Sequence, residues 1–278
     1  MLTNNFTYAF NILRDRFRVA PRVKKRQWQG VDISQKPEME FYELLNIKFG
    51  VALNGVEDLQ HYKDDIKPNL PWADNHFSER VCGEPLNPGK EWANWPYAKS
   101  ADGFRDDDGQ FNHTYMERFW PKYAGYTDQG ELKDTIYDPV DGCVFNKRMG
   151  IRHSYGDLND VVKLLLKDPT TNQAWLPIFF PEDTGIGDGG RKPCTLGYQF
   201  IQRSGLMHIY YPIRSCDFVR HFRDDCYLAV RLLLWVLAQL RAADPKTWDH
   251  VTVGNYEMHC TSLHIFRNDY LAMFEGKQ

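Results

Sequence analysis

The 278-residue sequence has six cysteines, at 82, 143, 194, 216, 226 and 260, but no C-x-x-C pair among them. Zinc sites of ordinary spacing take their thiolates in such pairs, so no metal site is assigned. The N-terminal MLTNNFTYAF lacks a basic segment followed by an apolar stretch. No secretory signal is therefore read, and the cysteines are expected to be free thiols in a reducing cytoplasm. Long apolar runs are scarce as well. The most apolar stretch, Leu232 to Ala238, follows Arg231 and is far shorter than the ~20 residues that cross a bilayer, so no membrane partner is expected. There is no internal repeat and no low-complexity linker. Charge of one sign is not in excess: 34 Lys and Arg oppose 37 Asp and Glu, for a net charge of −3. Such a surface gives no reason to expect direct nucleic-acid binding. One basic run, Arg22-Val23-Lys24-Lys25-Arg26, is either a solvated loop or a phosphate contact.

What is present suits a single domain over residues 1–278. Hydrophobic residues make up 42% and charged residues 26% of the chain, the proportions of a globular protein able to bury a sizeable core. Phe6, Phe10, Leu13 and Phe17 recur at helical spacing and predict a helix over 4–18. A strand is expected within 41–53, and a helix over 72–82 that stops before Gly83. Residues 84–113 are rich in Pro, Gly, Asn, Asp and Trp. Their aromatic content is too high for disorder, so they read as a long functional loop region. A second helix is expected over 155–167 and a short strand over 175–180. Strands over 198–203 and 206–211 flank Ser204-Gly205, a hairpin signal. The helix over 224–241 is apolar almost all round and is expected to be buried. The fold class is mixed α/β.

Chemistry gathers in the C-terminal third. Cys194 follows Arg191-Lys192-Pro193, and flanking cations at a strand start can lower a thiol pKa and make a nucleophile, although a lone cysteine also suits a buried structural role. Arg214-Ser215 has the makings of a phosphate clamp, because a guanidinium forks onto two oxygens and the hydroxyl adds a donor. Asp225, eight residues past Asp217, stands at the head of the buried helix, where a carboxylate is costly without a partner or ligand. It is either a site residue or a helix cap, and Asp224 beside it is the better candidate for the cap. Gly185 to Lys192 resembles a phosphate loop, but Arg191 holds the lysine position and Pro193 breaks the helix that should follow.

Four blocks together resemble the thymidylate synthase superfamily in order and spacing: Pro193-Cys194-Thr195-Leu196-Gly197-Tyr198-Gln199-Phe200, Ile213-Arg214-Ser215-Cys216-Asp217, Phe222-Arg223-Asp224-Asp225 and Ser262-Leu263-His264-Ile265-Phe266. The likeness is greatest to the bacteriophage deoxycytidylate hydroxymethylase branch, with Thr195 after the nucleophile and Asp225 where thymidylate synthases carry the Asn that reads uracil. It covers 191–266 well and is weaker upstream. The resemblance implies one α+β domain with a mixed sheet, a buried central helix and a sheet face that pairs two subunits into a homodimer. It implies that Cys194 adds to C6 of a pyrimidine nucleoside monophosphate and that C5 takes a carbon from 5,10-methylenetetrahydrofolate. Trp92 and Trp95 would wall the folate site, though they suit a core as well. Tyr115 would help move protons at C5. The carboxylate near C5 is placed at Glu79, with His76 one turn earlier on the same face; Asp74, Glu57 and Asp58 are alternatives. Arg22, Arg191, Gln199, Arg214, Ser215, Asp217 and His264 would bind substrate. The localisation implied is cytoplasmic, in the host if a phage encodes the protein.

For Asp225 the chemistry points to cytosine: a carboxylate accepts from N4 and, when protonated, donates to N3, whereas ionised it would repel O4 of uracil. Such a mismatch costs about 1–3 kcal/mol, roughly a tenfold to hundredfold preference. The expected reaction is therefore hydroxymethylation of dCMP. Methylation of dCMP, hydroxymethylation of dUMP or CMP, and a non-catalytic nucleotide-binding scaffold are the alternatives. Three departures from the family bear on this. Residues 168–174 lack the adjacent arginines usually lent by the partner subunit, leaving the phosphate to Arg214, Arg22, or bases such as Arg148 and Arg152. Phe266 replaces a Tyr that touches the sugar. The sequence stops twelve residues after Phe266, without the segment that seals the site for hydride transfer, which suits water as the final reactant.

Overall fold

The computed structural model describes residues 2–28, 31–100, 102–120, 135–137, 144–146, 156–184 and 191–276. Seven strands form one sheet: β1 (Leu2–Thr3), β2 (Arg22–Val23), β5 (Phe41–Ala52), β8 (Trp175–Pro177), β9 (Gly197–Arg203), β10 (Leu206–Asp217) and β11 (Thr252–Phe266). Their order is β1-β5-β11-β10-β9-β8, with β2 also on β5. Two small pairs stand apart from it, β3 (Gln27–Trp28) with β4 (Val31–Asp32) and β6 (Thr135–Tyr137) with β7 (Val144–Asn146). The sheet is mixed: β10 and β11 run parallel, whereas β5 and β9 run antiparallel to their central neighbours. This is the mixed α/β domain expected.

The parallel pair requires a crossover, and helix α6 (Phe222–Ala243) supplies it. Cys226, Leu228, Val230, Leu233, Val236 and Leu240 of α6 are at most 3% exposed. Each such aliphatic side chain contributes about 1.5–3 kcal/mol, so α6 is the main anchor of the core. By length and composition α6 could cross a bilayer, which corrects the expectation of a run too short to do so. A helix buried on all sides and a membrane span satisfy the same pattern, and here the surrounding elements take up its apolar surface.

The other helices pack around this unit. Helix α1 (Phe6–Phe17) buries Phe6, Phe10, Leu13 and Phe17, the residues that the periodicity singled out, and Asn5 caps it through a bond from Tyr8 N. Helix α2 (Leu59–Ile66) is capped by Asp58, and α3 (Trp72–Arg80) follows it. Asp74 of α3 accepts from Tyr227 Oη and Arg231 Nη1 of α6, each at 2.6 Å, and ion-pairs with Lys63. Glu57 pairs bidentately with Arg241 near the far end of α6. Helix α4 (Tyr115–Phe119) begins in a capping box of Thr114 and Glu117, and α5 (Leu158–Lys167) in one of Asp157 and Asp160. The short α7 (Pro245–Trp248) and α8 (Arg267–Glu275) flank β11.

Strand β10 runs on through Asp217 rather than ending at Tyr211, and β11 was not anticipated as a strand. Ser204 and Gly205 both have positive φ, the geometry that a two-residue hairpin demands. Gly197 opens β9 where a Cβ would lie 2.7 Å from the Leu176 carbonyl oxygen and 2.8 Å from the Trp175 ring. The carbonyl belongs to the paired strand and cannot yield. Gly197→Ala is expected to lose about 1–3 kcal/mol of stability, read from the urea midpoint at constant m value; an unchanged midpoint would show that β8 can move aside.

Candidate active site

A cavity opens where the C-terminal ends of β10 and β11 meet the first turn of α6. Cys194 reaches it from the loop before β9. Arg214 N donates to Cys194 O at 2.9 Å, so β10 fixes the backbone of that loop. The Arg214 side chain acts on the same loop, with Nε donating to Pro193 O at 2.8 Å and Nη2 to Lys192 O at 2.7 Å. The guanidinium expected to clamp a phosphate thus braces the cysteine loop and is not among the cavity-lining residues.

Behind Cys194 runs a chain of hydroxyls. Tyr115 Oη lies 3.1 Å from Thr195 Oγ1, which lies 3.0 Å from Tyr211 Oη. Thr195 and Tyr211 are completely buried, and burial raises the pKa of both phenols. The two phenols stay protonated at neutral pH.

The thiol of Cys194 departs from expectation. Burial pushes its pKa up and Asp225 adds to the rise, against Arg214 and Arg191. The neighbouring cations do not win because desolvation of the half-buried sulfur outweighs them. Near neutral pH Cys194 is held as a thiol.

Asp225 lies on the wall in the first turn of α6. Burial raises its pKa to about 7; the Arg80 charge and the hydrogen bond from Cys216 Sγ, 3.3 Å from Oδ2, pull it down, and Asp224 pushes it up. Near neutral pH the group is both acid and carboxylate. It is not the helix cap, and Asp224 does not cap either: Asp224 accepts from Asn69 N and Asn69 Nδ2, both at 2.8 Å. Cavity-facing Asp217 is held by Val219 N and Arg220 N, and burial raises its pKa to about 6.

Of the four carboxylates weighed for the position near C5, Glu79 alone lines the cavity. Asp74 and Glu57 hold helices together and Asp58 caps α2. Glu79 Oε1 accepts from Glu91 N at 3.0 Å. Burial pushes its pKa up, but His76 and the Glu91 and Lys90 N–H groups outweigh burial and leave it below the ordinary value. A Cβ at Gly89 would collide with the Glu79 carboxylate, so the loop passes close only because that residue is glycine.

The structure brings Cys194, Glu79, Tyr115, Asp225, Arg191, Ser215, Asp217 and His264 to this one cavity, together with Trp92 and Trp95. Trp95 stacks on His221 at 4.7 Å, and Trp92 meets Phe111 edge-on at 4.7 Å. Besides Arg214, two expected substrate residues lie elsewhere. Gln199 Nε2 donates to the Asn172 carbonyl at 2.9 Å, because alternation along β9 turns it from the cavity while Tyr198 and Phe200 face the core. Arg22 pairs with Glu40 beside β5. Arg148 and Arg152, Cys143 and residues 185–190 of the near phosphate loop lie outside the described residues. Arg80, Arg220 and His221 also line the cavity and were not anticipated; of these, only His221 follows a signal, lying four residues past Asp217 in the turn before α6. Among the described residues no cluster of His, Cys, Asp or Glu could hold a metal ion.

No family model matches the chain. A deoxyuridylate hydroxymethyltransferase of Bacillus phage SP01 is 28% identical to it over 179 residues, which make up 63% of this chain and 39% of that relative. The match thus spans well under half of the relative's own length.

The raised pKa of Asp225 has a consequence for stability. Its unfolded pKa is near the usual 3.8 and its folded pKa about 7. Stability from this group is complete below pH 4, falls as pH rises through 7, and the cost is full above it. Asp225→Asn removes that cost and is expected to stabilise the free protein by roughly 1–3 kcal/mol at pH 8, with no gain at pH 4. Thermal melts across this range check it; a gain that does not vary with pH would mean that Asp225 does not titrate as described.

Proposed function

We propose that the chain hydroxymethylates C5 of a pyrimidine nucleoside monophosphate, using 5,10-methylenetetrahydrofolate as carbon donor. The carrying observation is that a single cavity joins Cys194, Glu79, Tyr115 and Asp225 to the indoles of Trp92 and Trp95. The name of the phage relative supports the same reaction class.

In this reading the Cys194 sulfur adds to C6 as its proton is lost, and negative charge develops on C5 and is shared with N3 of cytosine or O4 of uracil. Asp225, protonated near neutral pH, donates to the atom that gains the charge. Folate, when bound, supplies the carbon at the oxidation level of formaldehyde. Flat aromatic walls suit its pterin, and Trp92 Nε1 and Asp217 Oδ2 are buried without a hydrogen-bond partner among the described residues. Glu79, ionised, takes the C5 proton and the Tyr115–Thr195–Tyr211 hydroxyls relay protons; water adds to the new carbon as tetrahydrofolate leaves, and expulsion of the Cys194 sulfur from C6 restores the base. Arg191 and Ser215, both lining the cavity, are the donors proposed to meet the phosphate.

Cytosine is the base we propose, because Asp225 stands where uracil-reading members of the superfamily carry Asn. A specific observation favours uracil as the second reading, namely the relative's name. The pKa of Asp225 also narrows the expected gap. A carboxylic acid offers one donor and one acceptor, and so complements N3 and N4 of cytosine or O4 and N3–H of uracil alike. The repulsion of O4 applies only to the ionised form.

The protein with methylenetetrahydrofolate and each of dCMP, CMP, dUMP and UMP is expected to convert dCMP fastest to a product heavier by CH2O. Mass spectrometry reads both base and product. A faster dUMP reaction establishes the second reading, and a gain of CH2 overturns hydroxymethylation. Cys194→Ala is expected to abolish turnover and the covalent adduct in a folded protein, and Asp225→Asn to move preference toward dUMP. Trp175, Ile201, Leu206 and Tyr210 lie on the sheet face opposite the core, with Trp175 36% and Leu206 39% exposed. These apolar side chains, interspersed with Gln199, Arg203 and His208 on the same face, support the homodimer that completes this reading; a monomer by light scattering at micromolar concentration overturns it.

A further inference from the structure

Helix α3 carries His76, Glu79 and Arg80 on one face, at spacings i, i+3 and i+4. His76 and Arg80 are each only 5% exposed. Arg80 Nε donates to His76 Nε2 at 3.0 Å. A guanidinium has no lone pair to offer, so Nε2 is the acceptor and the imidazole proton sits on Nδ1. That nitrogen faces Glu79 Oε2 at 3.6 Å, and among the described residues neither atom has a hydrogen bond elsewhere. Trp72 stacks on the imidazole at 4.8 Å and fixes its plane. The Arg80 guanidinium lies 4.3 Å over the Tyr115 ring, and no described carboxylate pairs with it. A buried cation without an ionic partner is costly. Its charge reaches Asp225 across the cavity, and its side-chain hydrogen bond goes to a histidine, which turns its other nitrogen toward the carboxylate.

We propose that Arg80 and His76 are positioning residues for Glu79: Arg80 locks His76 in the Nδ1–H tautomer, and that N–H presents the ionised carboxylate to the cavity in one orientation. The proposal rests on the role given to Glu79 in the reaction above. The charged groups that bear on His76 are Arg80 and Glu79 on its own helix and Glu91 from the facing loop. Burial and the Arg80 charge lower its pKa to about 4, against Glu79 and Glu91, so the imidazole stays neutral over the working range. The 3.6 Å separation leaves the last contact of the relay to close when the cavity fills, as catalytic hydrogen bonds often do.

Ring nitrogen NMR of the full chain reads the tautomer directly. The wild type is expected to show His76 as Nδ1–H alone from pH 5 to 8. In Arg80→Leu the ring is expected to mix tautomers and titrate within that range, and Arg80→Lys, which keeps a donor, to restore the single form. Exchange of C5 hydrogen from the preferred nucleotide reads the consequence. His76→Leu is expected to lose tenfold or more in kcat, with KM for the nucleotide within about twofold, and to move the acid limb of the pH profile upward as Glu79 loses its donor. His76→Gln, whose amide can both accept and donate, is expected to recover most of the rate. A folded Arg80→Leu with an unchanged tautomer overturns the proposal, as does a folded His76→Leu with an unchanged rate and profile. If Arg80→Leu does not fold, the His76 pair decides alone. If the wild-type protein exchanges no C5 hydrogen and forms no Cys194 adduct with any nucleotide, the proposed reaction fails, while the tautomer measurement still decides the relay.

Discussion

The burial of the first turn of α6 against the ends of β10 and β11 governs the chemistry of this protein. Apolar residues along α6 fix its axis over the sheet, and its N-terminal turn is drawn under the cavity with them. Asp224 is thereby buried and Asp225 half-buried, and desolvation raises the pKa of both. Asp224 is compensated by two hydrogen bonds from Asn69. Asp225 receives one from a thiol and is raised to about 7. The contrast between neighbours on one helix turn shows that partners, rather than position in the helix, separate their roles.

The same exclusion of water sets the other groups. It raises the thiol of Cys194 despite nearby guanidinium groups and keeps His113, His221 and His264 neutral well below physiological pH. Glu79 escapes because three N–H donors converge on it. The cavity thus sets the Glu79 carboxylate, held below its ordinary pKa, beside Asp217 and Asp225, raised to about 6 and 7, and beside the guanidinium groups of Arg80, Arg191 and Arg220. The destabilisation stored in Asp225 is offset by the apolar core beneath it, a common bargain at functional sites.

Much of the fold was legible in residue spacing. The Phe pattern of α1, the all-round apolarity of α6 and the Ser204-Gly205 turn each express a local rule, and each element formed where that rule placed it. Strand β11 was missed although Tyr256, Met258 and Cys260 alternate inward, because Glu257, His259 and Thr261 between them dilute the apolar signal. Its long pairing with β5 and β10 supplies what local propensity lacks. Helix α2 has only Tyr62 and Ile66 as buried anchors, too few for periodicity to show.

At the site, the sequence by itself determined the chemical inventory: a cysteine after Arg191-Lys192-Pro193, an aspartate at the head of a buried helix, a glutamate on α3 and two tryptophans in the following loop. These follow from residue type and order, which no folding event alters. Tertiary structure decided which way each group faces and in what charge state it stands. Arg214 turned to its own loop, Gln199 fell on the outward parity of β9, and Arg80 came to rest over Tyr115 beside His76. Charge state depends on desolvation and on donors brought from distant parts of the chain. Both are set by packing between segments far apart in sequence, and no reading of local pattern contains them.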